Sequence, residues 1–329
     1  MSEAFDIAII GGGPGGYSTA LRAAELGKRV AMIERDATLG GTCLNRGCIP
    51  SKALISATHA IDSIRHAGEL GISATINGID YGTLHDYKKR IVDTMTQGLA
   101  GLLAHRGVTV FRGVASITGA ARPITVHIAA SADGQGVQRS VRSDVPEDIG
   151  PSYDITAQDV VLAMGSAPRQ LPDEPFRGAI IDSTRAMSMA MPHNAVIIGA
   201  GAIAAEFASM WNAAGCKVTM LIRKDRVLSG WDRRAGVTLT RELKRHGIDV
   251  IDRSTVTHID TGVNMGALVH YTSAKDGGST EHIAEGEFVL VAIGRDPLTS
   301  DGWIRDAGVT VDDHGFITTD GYGRTPVAG

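Results

Sequence analysis

The hydrophobic pattern of the chain begins with a strand, a glycine-rich turn, a helix and a second strand. Short apolar runs predict the two strands, and the spacing of apolar residues between them predicts the helix. These elements are expected over residues 5–10, 11–16, 17–26 and 29–33. Gly27 ends the helix and Glu34 ends the second strand. The order predicts a βαβ unit.

Two helical patterns and several strands follow. Residues 49–66 predict a helix that begins near Pro50, a residue suited to a first helical turn. Apolar residues at helical spacing predict a second, core-facing helix through Leu84, Tyr87, Ile91, Met95, Leu99 and Leu102. Residues 107–155 are strand-like, and the polar stretch 131–151 predicts a flexible hairpin extension. The apolar run 160–164 predicts a buried parallel strand.

A second glycine-rich βαβ unit is predicted over residues 195–222. Three prolines mark a domain boundary ahead of it, at Pro168, Pro172 and Pro175. Further strands are expected over 248–293. Because the same unit occurs twice, the pattern predicts an α/β protein with two dinucleotide-binding, Rossmann-like domains of three layers.

Composition restricts the class of protein further. The 329 residues are 43 % hydrophobic and 21 % charged, which excludes a disordered or collagen-like chain. A net charge of −4 offers no basic surface, so neither nucleic acid nor a membrane is expected as a partner. The start of the chain lacks a signal-peptide pattern, and the longest weakly charged run, 195–211, is too short to span a bilayer. A cytoplasmic location is therefore expected.

The first glycine-rich turn carries a candidate dinucleotide site. Its Gly11, Gly13 and Gly16 fill the pattern G-x-G-x-x-G between a strand and a helix. Such glycines allow a tight turn and close approach of a pyrophosphate to the helix N-terminus, while Glu34 is placed to accept hydrogen bonds from ribose hydroxyls. The alternative is a glycine-rich turn without a ligand.

A second candidate site, with alanine in the third position, lies at Gly199, Gly201 and Ala204. Where an acidic residue after the next strand would select NAD, this chain has Ile222, followed by Arg223 and Lys224. Two cations can bind a 2′-phosphate, which favours NADP over NAD. The alternative is that both cations belong to a solvated loop.

Two cysteines five positions apart, Cys43 and Cys48, precede a predicted helix. A helix N-terminus stabilises a thiolate, and a pair of thiols can cycle with a disulfide and transfer two electrons. A zinc site is the first alternative, but it needs a further pair of ligands and no second cysteine pair exists. Two inert thiols are the other alternative. The third cysteine, Cys216, is expected to be a small buried hydrophobic residue.

Together these residues resemble the flavin-dependent pyridine nucleotide–disulfide oxidoreductases. The block GGTCLNRGCIPSKAL at 40–54 is similar to the branch that oxidises dihydrolipoamide. Glutathione and mercuric reductases share the cysteine spacing but differ in the flanking residues. The resemblance continues at 160–168, with Met164 where the family has threonine, and at 288–297. It implies FAD and NAD or NADP as cofactors, and lipoamide or another small disulfide as substrate.

The resemblance also implies a role for each candidate residue. The first glycine turn and Glu34 hold the ADP half of FAD. Cys48 lies against the flavin, and Cys43 exchanges with the substrate. Lys52 lies near the flavin N5 and pairs with Glu206, since a buried lysine needs a carboxylate partner. The remaining cofactor-binding candidates are Pro14, Gly15, Arg35, Gly41, Thr42, Gly113, Val114, Ala115, Ala163, Met164, Gly165, Ile203, Gly294 and Arg295.

In its domain organisation the family implies an FAD-binding domain over 1–167 and an NAD(P)-binding domain over 168–293 that is inserted in the first domain. An incomplete segment over 294–329 returns to the FAD-binding and central domain. Family members continue into a second FAD-binding stretch and a dimerisation domain, whose His-Pro segment supplies the acid/base. None of the 11 histidines here is followed by proline. We therefore expect a C-terminally truncated chain. Weaker FAD binding, doubtful homodimerisation and an exposed sheet edge at 160–164 are expected with it.

The sequence does not decide between NAD and NADP as coenzyme, or between lipoamide and another small disulfide as substrate. Residues 220–228 are similar to the NADPH-binding stretch of glutathione reductases, in which an arginine matching Arg223 binds the 2′-phosphate, but a second arginine of that pattern is Ser229 here. The expected reaction is oxidation of dihydrolipoamide by NAD⁺ through the cysteine pair and the flavin. The alternatives are an NADPH-dependent reductase of another small disulfide and a catalytically incompetent nucleotide-binding fragment.

Overall fold

Two strand–helix–strand segments, residues 3–34 and 194–221, have the order expected of an α/β protein, and runs of helices and of strands separate and follow them. The computed structural model describes residues 2–131, 136–141, 146–263, 266–274 and 280–329. The helices are α1 (Pro14–Glu25), α2 (Gly41–Arg46), α3 (Cys48–His66), α4 (Tyr81–His105), α5 (Ser183–Ala186), α6 (Ala202–Ala213), α7 (Arg233–Arg245) and α8 (Gly302–Asp306).

Eighteen strands are found in the described residues. They are β1 (Glu3–Ile10), β2 (Val30–Glu34), β3 (Thr109–Arg112), β4 (Val114–Gly119), β5 (Ile124–Ala129), β6 (Gln138–Ser140), β7 (Glu147–Asp148), β8 (Ser152–Leu162), β9 (Ser166–Pro168), β10 (Ile180–Ile181), β11 (Asn194–Ile198), β12 (Lys217–Leu221), β13 (Asp249–Ile251), β14 (Ser254–Val263), β15 (Gly266–Ser273), β16 (Glu281–Gly286), β17 (Phe288–Val291) and β18 (Arg295–Pro297). They form the sheets of two separate units.

The chain divides into two compact units. The first contains Met1–Ile49, Ile91–Ala167 and Asp296–Gly329, and the second, inserted in it, contains Pro50–Arg90 and Pro168–Arg295. The predicted α/β fold of two Rossmann-like units, one inserted in the other, is confirmed. Residues 50–90 pack with the second unit, whereas the ranges expected from the sequence placed them with the first.

The first unit is built on an eight-stranded sheet in the order β4-β5-β8-β1-β2-β3-β6-β7. Strands β8, β1, β2 and β3 are parallel, and antiparallel strands extend the sheet on both sides. Side chains alternate between its two faces. Ile9 and Met32 pack with Leu103 of α4 on one face, while Ile10 and Phe111 pack on the other.

The second unit has a five-stranded parallel sheet in the order β10-β17-β11-β12-β13, and a three-stranded antiparallel sheet, β14-β15-β16. Ile197 of the parallel sheet packs against Trp211 of α6 on one face. Val196 of the same strand packs with Val269 and Tyr271 of the antiparallel sheet on the other. Burial on both faces explains why the parallel strands are continuous apolar runs.

The apolar stripe predicted for α4 is only partly buried. Leu99 is 9 % exposed, but Tyr87, Met95 and Leu102 are 37 %, 46 % and 42 % exposed, so the core-facing prediction is wrong for these three. The buried residues of α4 are Thr96, Leu99 and Leu103. The packed face is therefore rotated by about one residue from the face that the apolar residues alone indicate.

The predicted hairpin over 131–151 includes β6 and β7, which pair antiparallel; residues 132–135 and 142–145 lie outside the described part. The strand predicted at 160–164 is the end of β8, which pairs with β1 on one side and with β5 as far as Ala157 on the other. Farther along β8, the Val160 amide donates to the Gly329 carbonyl at 2.7 Å. Among the described helices, none is both long and apolar enough to cross a bilayer.

Gly16 provides a test of the packing between α1 and the turn before it. A Cβ at Gly16 would lie 1.8 Å from the Gly11 carbonyl oxygen, so Gly16→Ala requires the helix to move. We expect this variant to lose about 1–3 kcal/mol of unfolding free energy, as overpacked sites do. The urea midpoint measures the loss.

Gly98→Ala is the matched control, because no described atom outside the adjacent residues and the helix's own backbone lies within 4 Å of a Cβ at this position in α4. Alanine there should be neutral or stabilise by up to about 1 kcal/mol, given its higher helix propensity. Equal midpoints for the two variants would contradict the tight packing at Gly16.

Candidate functional site

A cavity of about 490 Å³ lies at the carboxyl ends of the parallel strands in the first unit. Ligands of α/β proteins bind at this edge, where the loops after the strands meet. Its wall includes residues that end or follow β1, β2, β3 and β8, namely Ile10, Gly11, Glu34, Arg35, Gly113, Val114, Ala115, Ala163, Met164 and Gly165. Folding therefore brings most of the predicted cofactor-binding residues of this unit together.

The first glycine turn has the backbone conformation that its sequence predicts. Gly11 has φ +109°, and a Cβ there would lie 2.2 Å from the Ala163 carbonyl oxygen, so only glycine fits. Gly13 is the N-cap of α1, and no described side chain caps the first turn. Gly13, Pro14 and Gly15 line the cavity. The helix thus presents amide groups and the positive end of its dipole to a ligand there.

The Glu34 carboxylate binds backbone amides in and beside this turn. The side chain is 7 % exposed, and its carboxylate accepts hydrogen bonds from the backbone amides of Gly12 (2.7 Å) and Asp36 (2.8 Å). Burial raises the pKa of Glu34, and the two backbone hydrogen bonds oppose that rise. The carboxylate therefore shapes the glycine turn as well as lining the cavity.

Gly40 and Gly41 begin α2, and Gly41 packs against the first glycine-rich turn. A Cβ at Gly41 would lie 2.7 Å from the Cα of Gly13, so two backbones meet where side chains are absent. The Asn45 side-chain amide donates to the carbonyls of Leu39 (3.1 Å) and Gly41 (3.0 Å). Asn45 is not predicted from the sequence, because its position between the cysteines does not show which carbonyls it binds.

Cys43 lies in α2 and Cys48 is the first residue of α3, and both line the cavity. Both are thiols rather than a disulfide; Cys43 is half-buried and Cys48 is exposed. Cys216 is 3 % exposed, as predicted, and burial raises the pKa of its thiol to about 12, with a smaller effect from Glu287. The three cysteines thus differ in access.

Several residues of the cavity wall were not anticipated from the sequence. Arg46 forms an ion pair with Asp36, with 2.6 Å between Nη2 and Oδ2. Leu298, Asp301 and Trp303 come from the segment in which the chain returns to the first unit. Among the predicted residues, Gly16 packs beneath Gly11. Lys52, Gly294 and Arg295 belong to the second unit.

The glycine turn of the second unit repeats the geometry of the first. Gly199 has φ +135°, and a Cβ there would lie 2.3 Å from the Ala292 carbonyl oxygen. Gly201 is the N-cap of α6, and Ala204 is fully buried in the core beside β11. Ile203 packs against the same core.

The pair expected between Lys52 and Glu206 is present. The Nζ of Lys52 is 2.7 Å from Oε1 of Glu206, and the other oxygen accepts a hydrogen bond from Ser51 at 2.6 Å. The Lys52 side chain is 59 % exposed and that of Glu206 is 33 % exposed, so the ion pair adds little stability. The role of Ser51 is not predicted from the sequence, although Ser51 adjoins Lys52.

The predicted charged residues at the end of β12 are on the surface. Arg223 and Lys224 follow this strand and are both exposed. Gly294 has φ +144°, and its carbonyl accepts a hydrogen bond from the Arg169 amide at 3.0 Å, just before β18. The structure thus leaves two cations accessible beside the glycine-rich unit.

These features define a class of proteins: two dinucleotide-binding folds with a cysteine pair at the glycine turns of the first. The chain belongs to the pyridine nucleotide-disulphide oxidoreductase family, whose model matches residues 5–329. The cofactors of this family are FAD and NAD(H) or NADP(H).

Several relatives cover nearly the whole chain. The dihydrolipoyl dehydrogenase of Chlamydia pneumoniae is 33 % identical over 329 residues, which are 99 % of this chain and 64 % of the relative. Dihydrolipoyl dehydrogenase 3 of Pseudomonas aeruginosa is 35 % identical over 325 residues, 98 % of this chain and 64 % of the relative. The crystal structure of LpdA from Mycobacterium tuberculosis matches with a TM-score of 0.82 at 25 % identity, covering 99 % of this chain and 66 % of that one. The chain thus spans about 64 % of the length of these curated relatives.

The reactivity of the three thiols tests the exposure of Cys43 and Cys48 and the burial of Cys216. We expect two thiols per reduced chain to react with Ellman's reagent under native conditions, and the third only after unfolding. At pH 8 a thiol with a pKa of about 12 is ionised in roughly one molecule in ten thousand. The absorbance of the released product counts the reactive thiols.

Two variants assign the reactive thiols. Cys216→Ser should leave the native count at two, whereas replacing Cys43 and Cys48 together by serine should reduce it to zero. A native reaction of Cys216 at a rate similar to Cys48 would contradict the burial of its thiol.

Proposed function

We propose that the chain is the cofactor-binding and thiol-bearing part of an FAD-dependent dithiol/disulfide oxidoreductase. The reaction it supports best converts dihydrolipoamide and NAD⁺ to lipoamide and NADH. The observation that carries the proposal is the position of Cys43 and Cys48 in the wall of a cavity formed by glycine turns. The similarity to dihydrolipoyl dehydrogenases supports the choice of substrate.

The residues of the first unit fit FAD. The cavity has the volume typical of a small-molecule site, which is about 300–1,000 Å³. The glycine turn leaves room for a pyrophosphate at the N-terminus of α1, and Glu34 lies beside it for the ribose. Gly113 to Ala115 and Ala163 to Gly165 form the rest of the wall. When bound, FAD supplies a carrier that passes two electrons from the cysteines to a pyridine nucleotide.

The cysteines carry out thiol–disulfide exchange. A substrate thiolate attacks Cys43 of the Cys43–Cys48 disulfide, so that a substrate–Cys43 bond forms and Cys48 leaves as a thiolate. The second substrate thiol then attacks the substrate sulfur of this mixed disulfide and releases Cys43. Two electrons have then moved from substrate to protein. One substrate proton went to solvent when the attacking thiolate formed, the other is now on the Cys43 thiol, and Cys48 stays a thiolate. Cys48 begins α3, whose dipole stabilises its thiolate.

Lys52 is a positioning charge in this proposal. It follows Cys48 by four residues on α3, so both project from the same face of the helix. Glu206 and Ser51 fix the orientation of this part of α3 through the two short contacts described above. With FAD bound, the Lys52 ammonium would stabilise negative charge on the flavin.

The second unit binds the pyridine nucleotide, with the pyrophosphate at the Gly199 turn and the N-terminus of α6. The exposure of Arg223 and Lys224 favours a second candidate function, an NADPH-dependent reductase of another small disulfide. A reducing compartment such as the cytoplasm suits either function, because both need thiols that are oxidised only during turnover.

Flavin binding and turnover test the proposal. The chain is incubated with FAD, separated from free FAD and reduced stepwise with NADH under nitrogen. We expect bound-flavin absorbance with a long-wavelength shoulder after two-electron reduction, because FAD held in this cavity would meet the Cys48 thiolate in its wall. The shoulder should be lost in Cys48→Ser and retained in Cys43→Ser.

Turnover of dihydrolipoamide with NAD⁺ should fall at least a hundredfold in either variant, because each breaks the exchange. Cys216→Ser is the control and should match the unchanged chain. A chain that binds no FAD, or whose reduced flavin gives the same spectrum in Cys48→Ser as in the unchanged chain, would overturn the proposal. Bound FAD without cysteine-dependent turnover would support the incompetent nucleotide-binding fragment.

Coenzyme choice is tested at Arg223. Arg223→Glu should weaken NADPH binding about tenfold or more, because it replaces a charge-assisted contact by repulsion, and should leave the Kd for NADH nearly unchanged. Quenching of nicotinamide fluorescence measures both values. Lys217→Glu, an equal charge change at the start of β12, is the control. Equal losses for NADH and NADPH would exclude a role for Arg223 in recognising the 2′-phosphate.

A further inference from the structure

The outer face of the antiparallel sheet in the second unit carries two histidines and two carboxylates. His258 on β14 lies directly opposite His270 on β15, and Asp260 lies two residues farther along β14. Glu281 begins β16, the other neighbour of β15. Val269, next to His270, is buried in the core, so these polar residues lie on the opposite face of the sheet.

Asp260 orients both imidazoles. The two rings are stacked, with 4.2 Å between their centroids and 18° between their planes. Nε2 of His258 is 3.1 Å from Oδ1 of Asp260, and Nε2 of His270 is 3.1 Å from Oδ2. When both Nε2 atoms donate to one carboxylate, each neutral ring keeps its Nδ1 lone pair available. A carboxylate that fixes the tautomer in this way is common behind metal-binding histidines.

One nitrogen of this group is left without a hydrogen bond. Nδ1 of His270 is buried and has no hydrogen-bond partner among the described residues. Oε2 of Glu281 lies 3.7 Å away, beyond hydrogen-bond distance, and the His270 side chain is only 14 % exposed. A buried lone pair that faces a carboxylate oxygen is unfavourable unless a proton or a cation lies between them.

We propose that His258, His270 and Glu281 bind a divalent transition-metal ion such as Zn²⁺, with Asp260 as the positioning residue. One ligand atom from each of the three residues lies within 4.8 Å of the other two. Tetrahedral Zn²⁺ with bonds of about 2.0–2.1 Å needs these atoms about 3.4 Å apart, so modest side-chain rotations complete the site. Imidazole ligands favour Zn²⁺ over Mg²⁺ or Ca²⁺, which prefer oxygen.

An ordinary surface ion pair has a different arrangement. His127 on β5 and Asp154 on β8 face each other across antiparallel strands, with 2.7 Å between Nδ1 and Oδ1. That pair is one imidazole with one carboxylate. The group on β14–β16 adds a second stacked imidazole and a second carboxylate on the far side of the ring. The His127 pair is therefore a matched control.

Zn²⁺ titration of the full chain tests the site. Cys43 and Cys48 are first replaced by serine, so that thiolates do not compete for the ion. We expect calorimetry to give one Zn²⁺ per chain, bound at least tenfold more weakly in His258→Ala, His270→Ala and Glu281→Gln. Asp260→Asn should weaken binding about tenfold or more through loss of orientation. His127→Ala should bind as the parent does.

A second readout identifies the ligand atoms. Co²⁺ in the same site should give visible absorption bands of a nitrogen-bound tetrahedral ion, and His270→Ala should abolish them. Zn²⁺ binding that is unchanged in His270→Ala, or absent from the folded parent, overturns the proposal. If His270→Ala does not fold by circular dichroism, Glu281→Gln carries the test, because its side chain is 57 % exposed. Unchanged binding in that folded variant also overturns it.

Discussion

A close approach between two backbones determines where both candidate nucleotide sites form. The Gly11 amide donates to the Ile33 carbonyl, and the neighbouring Ala163 amide donates to the Ile10 carbonyl, each at 2.8 Å. These bonds bring the Ala163 carbonyl so near to Gly11 that a side chain cannot fit. The chain must therefore turn with positive φ at Gly11, and α1 begins at the edge of the sheet.

The second unit meets the same constraint with different residues. Gly199 donates to the Leu221 carbonyl at 3.1 Å, and Ala292 donates to the Ile198 carbonyl at 2.8 Å. A Cβ at Gly199 would lie 2.3 Å from the Ala292 carbonyl oxygen, and one at Gly11 would lie 2.2 Å from the Ala163 carbonyl oxygen. Because two separate stretches of sequence reach the same geometry, the constraint belongs to the strand–turn–helix arrangement.

Local pattern and glycine placement account for the parts of the structure that the sequence predicts. Both βαβ units, the start of α3 near Pro50 and the burial of Cys216 depend on neighbours in the sequence or on residue type. The exposure of Tyr87 and Met95 on α4 does not depend on local sequence, because tertiary packing against the sheet decides which face of the helix is buried. The contribution of Trp303 to the cavity also requires the tertiary fold.

The stacked histidines also depend on tertiary structure that the sequence alone does not predict. His258 and His270 meet only because β14 and β15 pair in one register, and a register shift between Val256 and His258 sets which residue faces His270. A one-residue slip would turn His258 to the other face. Neither residue lies in a motif, so the sequence gives no signal for the pair.

Polar groups without a partner distinguish the cavity at α1 and the proposed metal site from the ion pair of Lys52 and Glu206. The first turn of α1 directs amides into a cavity without a side-chain cap from the described residues, and Nδ1 of His270 is buried without a hydrogen bond there. Lys52 and Glu206, by contrast, satisfy each other. Folding leaves a buried donor or acceptor unpaired at a cost in free energy, which a bound ligand removes. A bound anion at α1 and a bound cation at His270 would each supply the missing partner, so binding at either site should stabilise the folded chain.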